Sequence, residues 1–520
     1  MDSFFSNKKI VLGTSIAPTH IENQVLAVKS WVKSGFKVIS CNVREEIEII
    51  EPYFAEIDIE FVEVKCDIDS IRDKPLPYIY DIMMAIYHRT KDIGGYINSD
   101  IYLETLSEEL YKFLYKEAED SLLIVKRNEV NCLTDIKNLK WKLFFSGIDM
   151  FLIDKKFIPD FFDDGFFVQS SWDIGILLKA KVCGIKIKEL MNPVAFHKRH
   201  TQICKFDVIK TLVERLWEKY FDSTENAFED AMQLFYSILF EDCKQICFLN
   251  ETNLRCLFVT KEEEVKKNIL GQEFTLGDIT IQRDDKNKEK YDYVFYIPAN
   301  TFLSPVFCKT VIFIMKKYEF SNLEVGKFFV SLINGKYQYN NLSKSIELLE
   351  YVHEQCSTNI LVCAKKGKSV LKKITSPISY ELLDINNKEI FKRIKLTGSY
   401  YLAPAGMRAE HWHYVNSSKL KDMHFLGFLD NYKKGENIYP MKTLEDDSQA
   451  QVIVACKFFF KEIMRQLQGI IDSDRLVNAG FACYIDQKGV IYYFDLEQYK
   501  KYLRSLDYEK EEESEKTRYS

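Results

Sequence analysis

Residues 94–102 read Gly94-Gly95-Tyr96-Ile97-Asn98-Ser99-Asp100-Ile101-Tyr102, a short apolar run that ends abruptly in three small polar residues. A strand inside a mostly parallel sheet is apolar on both faces, so polar residues at its carboxyl end stand at the rim, where α/β sheets place their ligands. This is how a buried strand delivers oxygen ligands to a metal. Asn, Ser and Asp are also turn formers, so the stretch taken alone equally describes a plain strand-to-loop turn. A second group of residues downstream distinguishes the two.

Between residues 146 and 200 carboxylates and histidines recur at the ends of apolar runs: Ser146-Gly147-Ile148-Asp149, Phe151-Leu152-Ile153-Asp154, Ile158-Pro159-Asp160, Ser171-Trp172-Asp173 and Phe196-His197-Lys198-Arg199-His200. With these residues the chain resembles a GT-A-fold glycosyltransferase of the bacterial surface-polysaccharide type over about residues 8–200. In that family a motif of the Asp-x-Asp kind ends a strand and holds a divalent cation on the diphosphate of a nucleotide-sugar. Asn98-Ser99-Asp100 occupies that place here, with Asn98 standing where the family carries its first acid.

The resemblance implies a set of roles. Asp100 is the expected ligand for Mn²⁺ or Mg²⁺, a hard cation that needs few protein ligands because phosphate oxygens and waters complete its shell. His197 matches the late histidine that many such enzymes bring back to the metal. Asn98, Ser99, Lys198 and Arg199 are expected beside the donor, with His200 adding charge to the same loop, and Asp149 in a substrate-binding or structural role. Asp173 is the expected general base for an inverting transfer, and Trp172 the ring that stacks on a sugar. The same Asp173 opens a helical run, Ile174 to Ala180, and Asp is well suited to cap a helix amino terminus.

The amino-terminal segment fits a nucleotide-facing β-α-β unit. Lys9 to Ser15 is an apolar run opening into Ala17-Pro18-Thr19; Val25, Val28, Trp31 and Val32 follow at helical spacing; and Phe36 to Cys41 forms a second run. Thr14, Ser15 and Asn42 end these strands, where they either hydrogen-bond a nucleotide or serve as caps and turn formers. No Gly-x-Gly-x-x-Gly follows the first run, so a dinucleotide site of the usual kind is not expected.

With 520 residues, two or three domains are expected. The pattern predicts a GT-A-like domain over 1–204 with a mixed sheet flanked by helices, and a helical connector over 205–240 in which Val208, Leu212 and Leu216, then Phe228, Met232, Phe235 and Leu239, keep helical spacing. Residues 241–345 read as an α/β segment, a degenerate relative of the first domain or simply a region with similar strands. Residues 346–506 read as a Rossmann-like α/β domain with a parallel sheet, its strands at 359–363, 399–403, 425–431 and 451–455. That domain resembles small Rossmann-like domains appended to sugar-modifying proteins. The resemblance implies a second nucleotide site at Gly406, in a turn with one glycine, and Asp430 as the ribose-binding acid. The tail 507–520 is charged and lacks a core-forming pattern.

A net charge of −6 argues against broad nucleic-acid binding. Thirteen cysteines without paired framework or zinc spacing fit reduced thiols in a cytoplasm. No run reaches the length of a membrane span and the amino terminus lacks a signal-peptide pattern, so any membrane association is expected to be peripheral, at the inner face. The partners expected are a nucleotide-sugar donor and a glycan or lipid-linked acceptor. Two other readings compete: a non-catalytic nucleotide-sugar-binding or scaffold protein of a glycan-assembly complex, which Asn98 in place of an acid favours, and transfer of another phosphate-linked group. Most of the 30 Tyr and 38 Phe must fill cores.

Overall fold

The computed structural model describes residues 9–65, 76–138, 141–162, 171–199, 206–221, 226–251, 254–260, 269, 279–283, 285, 287–297, 301–319, 322–333, 336–337, 360–364, 371–384, 391–447, 449–455, 460–479, 483–485 and 488–494. The chain divides into two compact units, one of residues 1–203, 207–327 and 359–379, the other of 204–206, 328–358 and 380–520. His200, the strand start at Asn359 and the tail 507–520 lie outside the described residues.

The first unit is built on a mixed sheet. In chain order its elements are β1 (Val11–Thr14), α1 (Ile21–Lys33), β2 (Lys37–Asn42), α2 (Arg44–Ile50), β3 (Ile59–Glu63), α3 (Ile79–Tyr87), β4 (Ile93–Ile97), β5 (Ile101–Leu103), α4 (Glu108–Ala118), β6 (Ser121–Val130), β7 (Trp141–Asp154), α5 (Trp172–Val182), β8 (Lys186–Leu190) and β9 (Ala195–Lys198). After α6 (Phe206–Phe221) and α7 (Ala227–Ser237), β10 (Lys244–Ile246) returns to the same sheet. The strand order is β10-β8-β6-β7-β4-β1-β2-β3, with β5 and β9 paired to each other and β9 also to β6. β1, β2, β3 and β4 run parallel, β7 is antiparallel to β4 and β6, and β8 and β10 run parallel to β6. This is the mixed α/β sheet flanked by helices that the sequence predicts.

β4 lies in the middle of the sheet with all five residues buried. Its two glycines are there for space. A Cβ built on Gly94 would overlap Ile86 of α3, and one on Gly95 would overlap the carbonyl oxygen of Phe151 on β7. Gly13 of β1 meets Ile82 and Ile86 in the same way, so α3 packs directly on the bare backbone of β1 and β4. That close packing fixes where β4 ends and hence where Asn98-Ser99-Asp100 turns out of the sheet.

Beyond β10, parallel strands β11 (Cys256–Val259), β12 (Ile279–Gln282) and β13 (Tyr293–Tyr296) form a second sheet, followed by α8 (Phe307–Lys317). The boundary expected at residue 204 is not a division between compact units. β10 completes the first sheet, and Trp141, Met191 and Phe196 share one apolar core with Phe258, Phe295, Phe307 and Ile312. The strand Ile360–Ala364, expected in the carboxyl-terminal parallel sheet, instead pairs antiparallel with β13. Periodicity identified it as a strand but carries no information about its partner.

The second unit contains the predicted parallel sheet. Its strands lie in the order Ile438–Tyr439, His424–Leu429, Ser399–Ala403, Gln451–Val454, Leu476–Asn478, every neighbouring pair parallel. Numbered along the chain this is 3-2-1-4-5, a doubly wound arrangement whose order reverses between Ser399–Ala403 and Gln451–Val454. Among the described residues no helix is long and apolar enough to cross a membrane.

Gly95→Ala is expected to destabilise the protein by about 1–3 kcal/mol, because its methyl group meets backbone that cannot move without disturbing the β4–β7 ladder. The midpoint of urea unfolding measures this, and an unchanged midpoint would contradict the packing described.

Candidate functional site

At the carboxyl end of β4 the backbone continues into Asn98, whose N–H donates to the Asp149 carbonyl on β7 at 2.9 Å. The Asn98 side-chain amide also donates to the Asp149 carboxylate, and Tyr96 Oη donates to Asn98 Oδ1 at 2.9 Å. Asn98 thus spends its side chain holding Asp149 in place. Two residues on, Asp100 Oδ2 lies 3.2 Å from His197 Nε2, and the other ring nitrogen, Nδ1, lies 3.2 Å from Glu129 Oε1. Register explains the meeting: His197 on β9 sits opposite Ile101 of β5 and opposite Glu129 of β6.

Arg127 of β6 ties this group together. Its Nε donates to Glu129 Oε1 at 2.7 Å, and Nη1 donates to both Asp149 oxygens at 3.1 and 2.9 Å. The guanidinium is charge-assisted on both sides, the strong form of such pairing. Arg199 Nε lies 3.6 Å from Glu129 Oε2, while Lys198 points into solvent. Sequence reading overlooked Arg127, Glu129 and Tyr96. The signal was present, since Lys126-Arg127-Asn128-Glu129 follows the apolar run Leu122–Val125 just as Asn98-Ser99-Asp100 follows β4.

Asp173 stands in the first turn of α5. The capping position belongs to Ser171, which takes a left-handed backbone (φ 86°), so Asp173 is not the helix cap. Its Oδ1 accepts from the Ile174 N–H at 2.9 Å. Burial, then the negative charge of Asp149, push its carboxyl up to about 7 against the opposing pull of Ile174 N–H and Arg127. Trp172, expected as a sugar platform, is 5% exposed and packs edge-on to Tyr96 at 5.0 Å and against Phe151 at 5.7 Å. Its face is used to fix the start of α5, and so the position of Asp173.

Among the described residues no group of three or more His, Cys, Asp or Glu side chains is arranged to hold a metal ion. Burial pulls His197 down, but its hydrogen bonds to Asp100 and Glu129 more than offset this and raise it to about 9. Both ring nitrogens are thus engaged by carboxylates, an arrangement that favours the imidazolium. Asp100 differs: its side chain is 39% exposed, and a half-exposed carboxylate fits a hard cation whose other ligands are phosphate oxygens and water. Charge favours the same fit. Asp100, Glu129 and Asp149 offset Arg127, His197 and Arg199, and Asp173 adds no positive charge, so an incoming diphosphate would need cationic charge brought with it.

The remaining expected residues lie elsewhere. Asn42 ends β2 fully buried, its amide donating to Ile16 O at 2.8 Å and Glu46 Oε2 at 2.8 Å and its Oδ1 accepting from Ser40 Oγ at 2.7 Å. Thr14 is buried at the end of β1, and Ser15 Oγ accepts from the Asn42 amide at 3.3 Å. This network braces the strand ends, and of the three only Ser15 is partly exposed. In the second unit Gly406 (φ 153°) precedes the helix Met407–Asn416, and a Cβ there would come within 2.9 Å of Lys433 Nζ. Asp430 is buried and its Oδ1 accepts the N–H groups of Tyr432 and Lys433 at 2.8 and 2.9 Å, which closes the turn after its strand.

A histidine raised in the folded state contributes stability that is complete below its unfolded value of about 6.5 and is lost as pH climbs through about 9. The stability difference between wild type and His197→Gln should therefore shrink by on the order of 3 kcal/mol between about pH 6 and pH 10. Urea unfolding across that range checks it; a difference that stays flat would show that the imidazole is not clamped as an imidazolium.

No family model matches this chain, and no curated protein matches it. Among solved structures, S. aureus TarS is similar at 11% sequence identity and a TM-score of 0.29, over 45% of this chain and 44% of that one. TarS 1–349 in complex with UDP-GlcNAc is similar at 13% identity and a TM-score of 0.29, over 45% of this chain and 71% of that one. TarS 1–349 alone gives 12% identity and a TM-score of 0.26, over 45% and 81%. The match spans less than half of the first of these TarS chains. At such TM-scores the likeness decides neither fold, activity nor ligand.

Proposed function

We propose that this chain is a glycosyltransferase that moves a sugar from a nucleotide-sugar donor to a glycan or lipid-linked acceptor in surface-polysaccharide assembly. One observation carries the reading: Asn98, Asp100, Arg127, Glu129, Asp149 and His197, distant in sequence, meet in one hydrogen-bonded cluster at the end of the central strand β4. The charge of Asp149 also reaches Asp173. A carboxyl brought close to neutrality beside an ion-paired partner is what a general base working near pH 7 requires.

In this account Asp173 takes the proton from the acceptor hydroxyl as its oxygen attacks the anomeric carbon and the bond to the diphosphate breaks. Asp149 and Arg127 set the charge that Asp173 feels, and the Trp172–Tyr96 packing fixes the turn that carries it. Asp100 would hold Mn²⁺ or Mg²⁺, which when bound neutralises charge developing on the departing diphosphate. His197, clamped by Glu129, orients the Asp100 carboxylate from behind. A lipid-linked acceptor would bring the protein to a membrane's inner face.

The base form of Asp173 appears as pH rises through about 7, so kcat/KM should climb up to that pH and then level off. Asp173→Asn should lower kcat by about 10²–10⁴-fold with the fold intact. A pH profile of donor consumption checks both, and a flat profile would remove Asp173 from the base role.

Binding is tested separately by thermal unfolding with a panel of nucleoside diphosphates and nucleotide-sugars, with and without Mn²⁺. A metal-dependent rise in midpoint that Asp100→Ala abolishes is the expected result. No shift from any donor would favour the non-catalytic scaffold reading. A shift accompanied by a product mass other than a transferred sugar would indicate another phosphate-linked group.

A further inference from the structure

We infer that the first unit contains an internal water site, built by the second pair of polar residues on β6 and independent of the proposed activity. Arg127 and Glu129 join the cluster described above, whereas Lys126 and Asn128 line a cavity of about 20 Å³ together with Trp141 of β7, Glu189 of β8, Asn192 and Thr310 of α8. A space of this size admits one or two water molecules, given that about 10–15 Å³ suffices for one.

The chemistry of the wall selects water over other occupants. Lys126 Nζ and Glu189 Oε1 form an ion pair at 2.8 Å, with both side chains 1% exposed. The pair is neutral as a whole, so neither a cation nor an anion is favoured. Two further polar atoms belong to residues of the same wall: Glu189 Oε2, an acceptor, and Trp141 Nε1, a donor, both buried and without a hydrogen-bond partner among the described residues. An occupant must therefore both accept from the indole and donate to the carboxylate. Water does both, and buried waters typically sit where otherwise unsatisfied polar groups converge. Lys126 also lies at the irregularity in the β6–β7 pairing, where the register shifts on both sides of Lys126. A water held there completes the polar contacts of the strand segment that displays Arg127 and Glu129.

The test uses the full-length protein labelled with ¹⁵N at its indole nitrogens. Five tryptophans give five indole signals, and the one missing in Trp141→Phe is Trp141. A long-lived water is expected to give a dipolar cross-peak to that indole N–H, with slow exchange of the proton. A crystal structure that resolves ordered solvent should place a water within hydrogen-bond distance of both Trp141 Nε1 and Glu189 Oε2. No cross-peak, or density that leaves the cavity dry, would overturn the inference. If Trp141→Phe does not fold, the crystal structure of the wild type decides alone. Donor binding and turnover have no bearing on either readout, so failure of the proposed function leaves this test intact.

Discussion

The candidate site depends first on the Arg127 guanidinium. Asp149 and Glu129 are both nearly buried, and a buried carboxylate without a partner is costly enough that it would take up a proton or force the strands apart. Arg127 bridges the two, and through them it reaches both halves of the cluster: Asp149 is held by Asn98 at the end of β4, and Glu129 holds His197, which holds Asp100. Removing one partner of such a buried pair typically costs about 3–5 kcal/mol, more than removing the whole arrangement in favour of apolar residues.

The sheet supplies the frame for this arrangement. β4 is flanked by β1 on one side and β7 on the other, with glycines where α3 and the β7 backbone come closest, so its carboxyl end cannot drift. β7 runs antiparallel to β4 and brings Asp149 level with Asn98; β9 brings His197 level with Glu129 and Ile101. The second unit obeys the same geometry in its own way, with a parallel 3-2-1-4-5 sheet, though there Asp430 closes a turn and only the glycine at 406 leaves room beside Lys433.

Much of this was legible in the chain, for identifiable reasons. The abrupt end of an apolar run at Asn98-Ser99-Asp100 signals a rim position, and the recurrence of Asp149, Asp173 and His197 at the ends of other runs predicts that they converge. What periodicity cannot give is pairing. The strand at 360–364 was visible, but its antiparallel neighbour in the first unit was not, and β10 closes the first sheet from beyond the expected boundary. Arg127 and Glu129 follow an apolar run as Asn98-Ser99-Asp100 does, but the strand continues through them, and only the pairing of β6 with β7 and β9 brings them to the cluster. An aromatic beside a catalytic candidate reads as a platform, whereas packing places Tyr96 and Phe151 against Trp172 and leaves it 5% exposed. The protonation of His197 depends on two carboxylates about 70 and 100 residues away in sequence, which no local pattern encodes.

The central claim is that this cluster transfers a sugar from a nucleotide donor. Its most direct measurement is the release of nucleoside diphosphate from a panel of nucleotide-sugars with Mn²⁺, comparing wild type with Asp173→Asn and Arg127→Met variants confirmed to be folded. The account predicts release from at least one donor by the wild type and its loss in both variants. Release that persists undiminished in folded Asp173→Asn, or no release from any donor by the wild type, would contradict it.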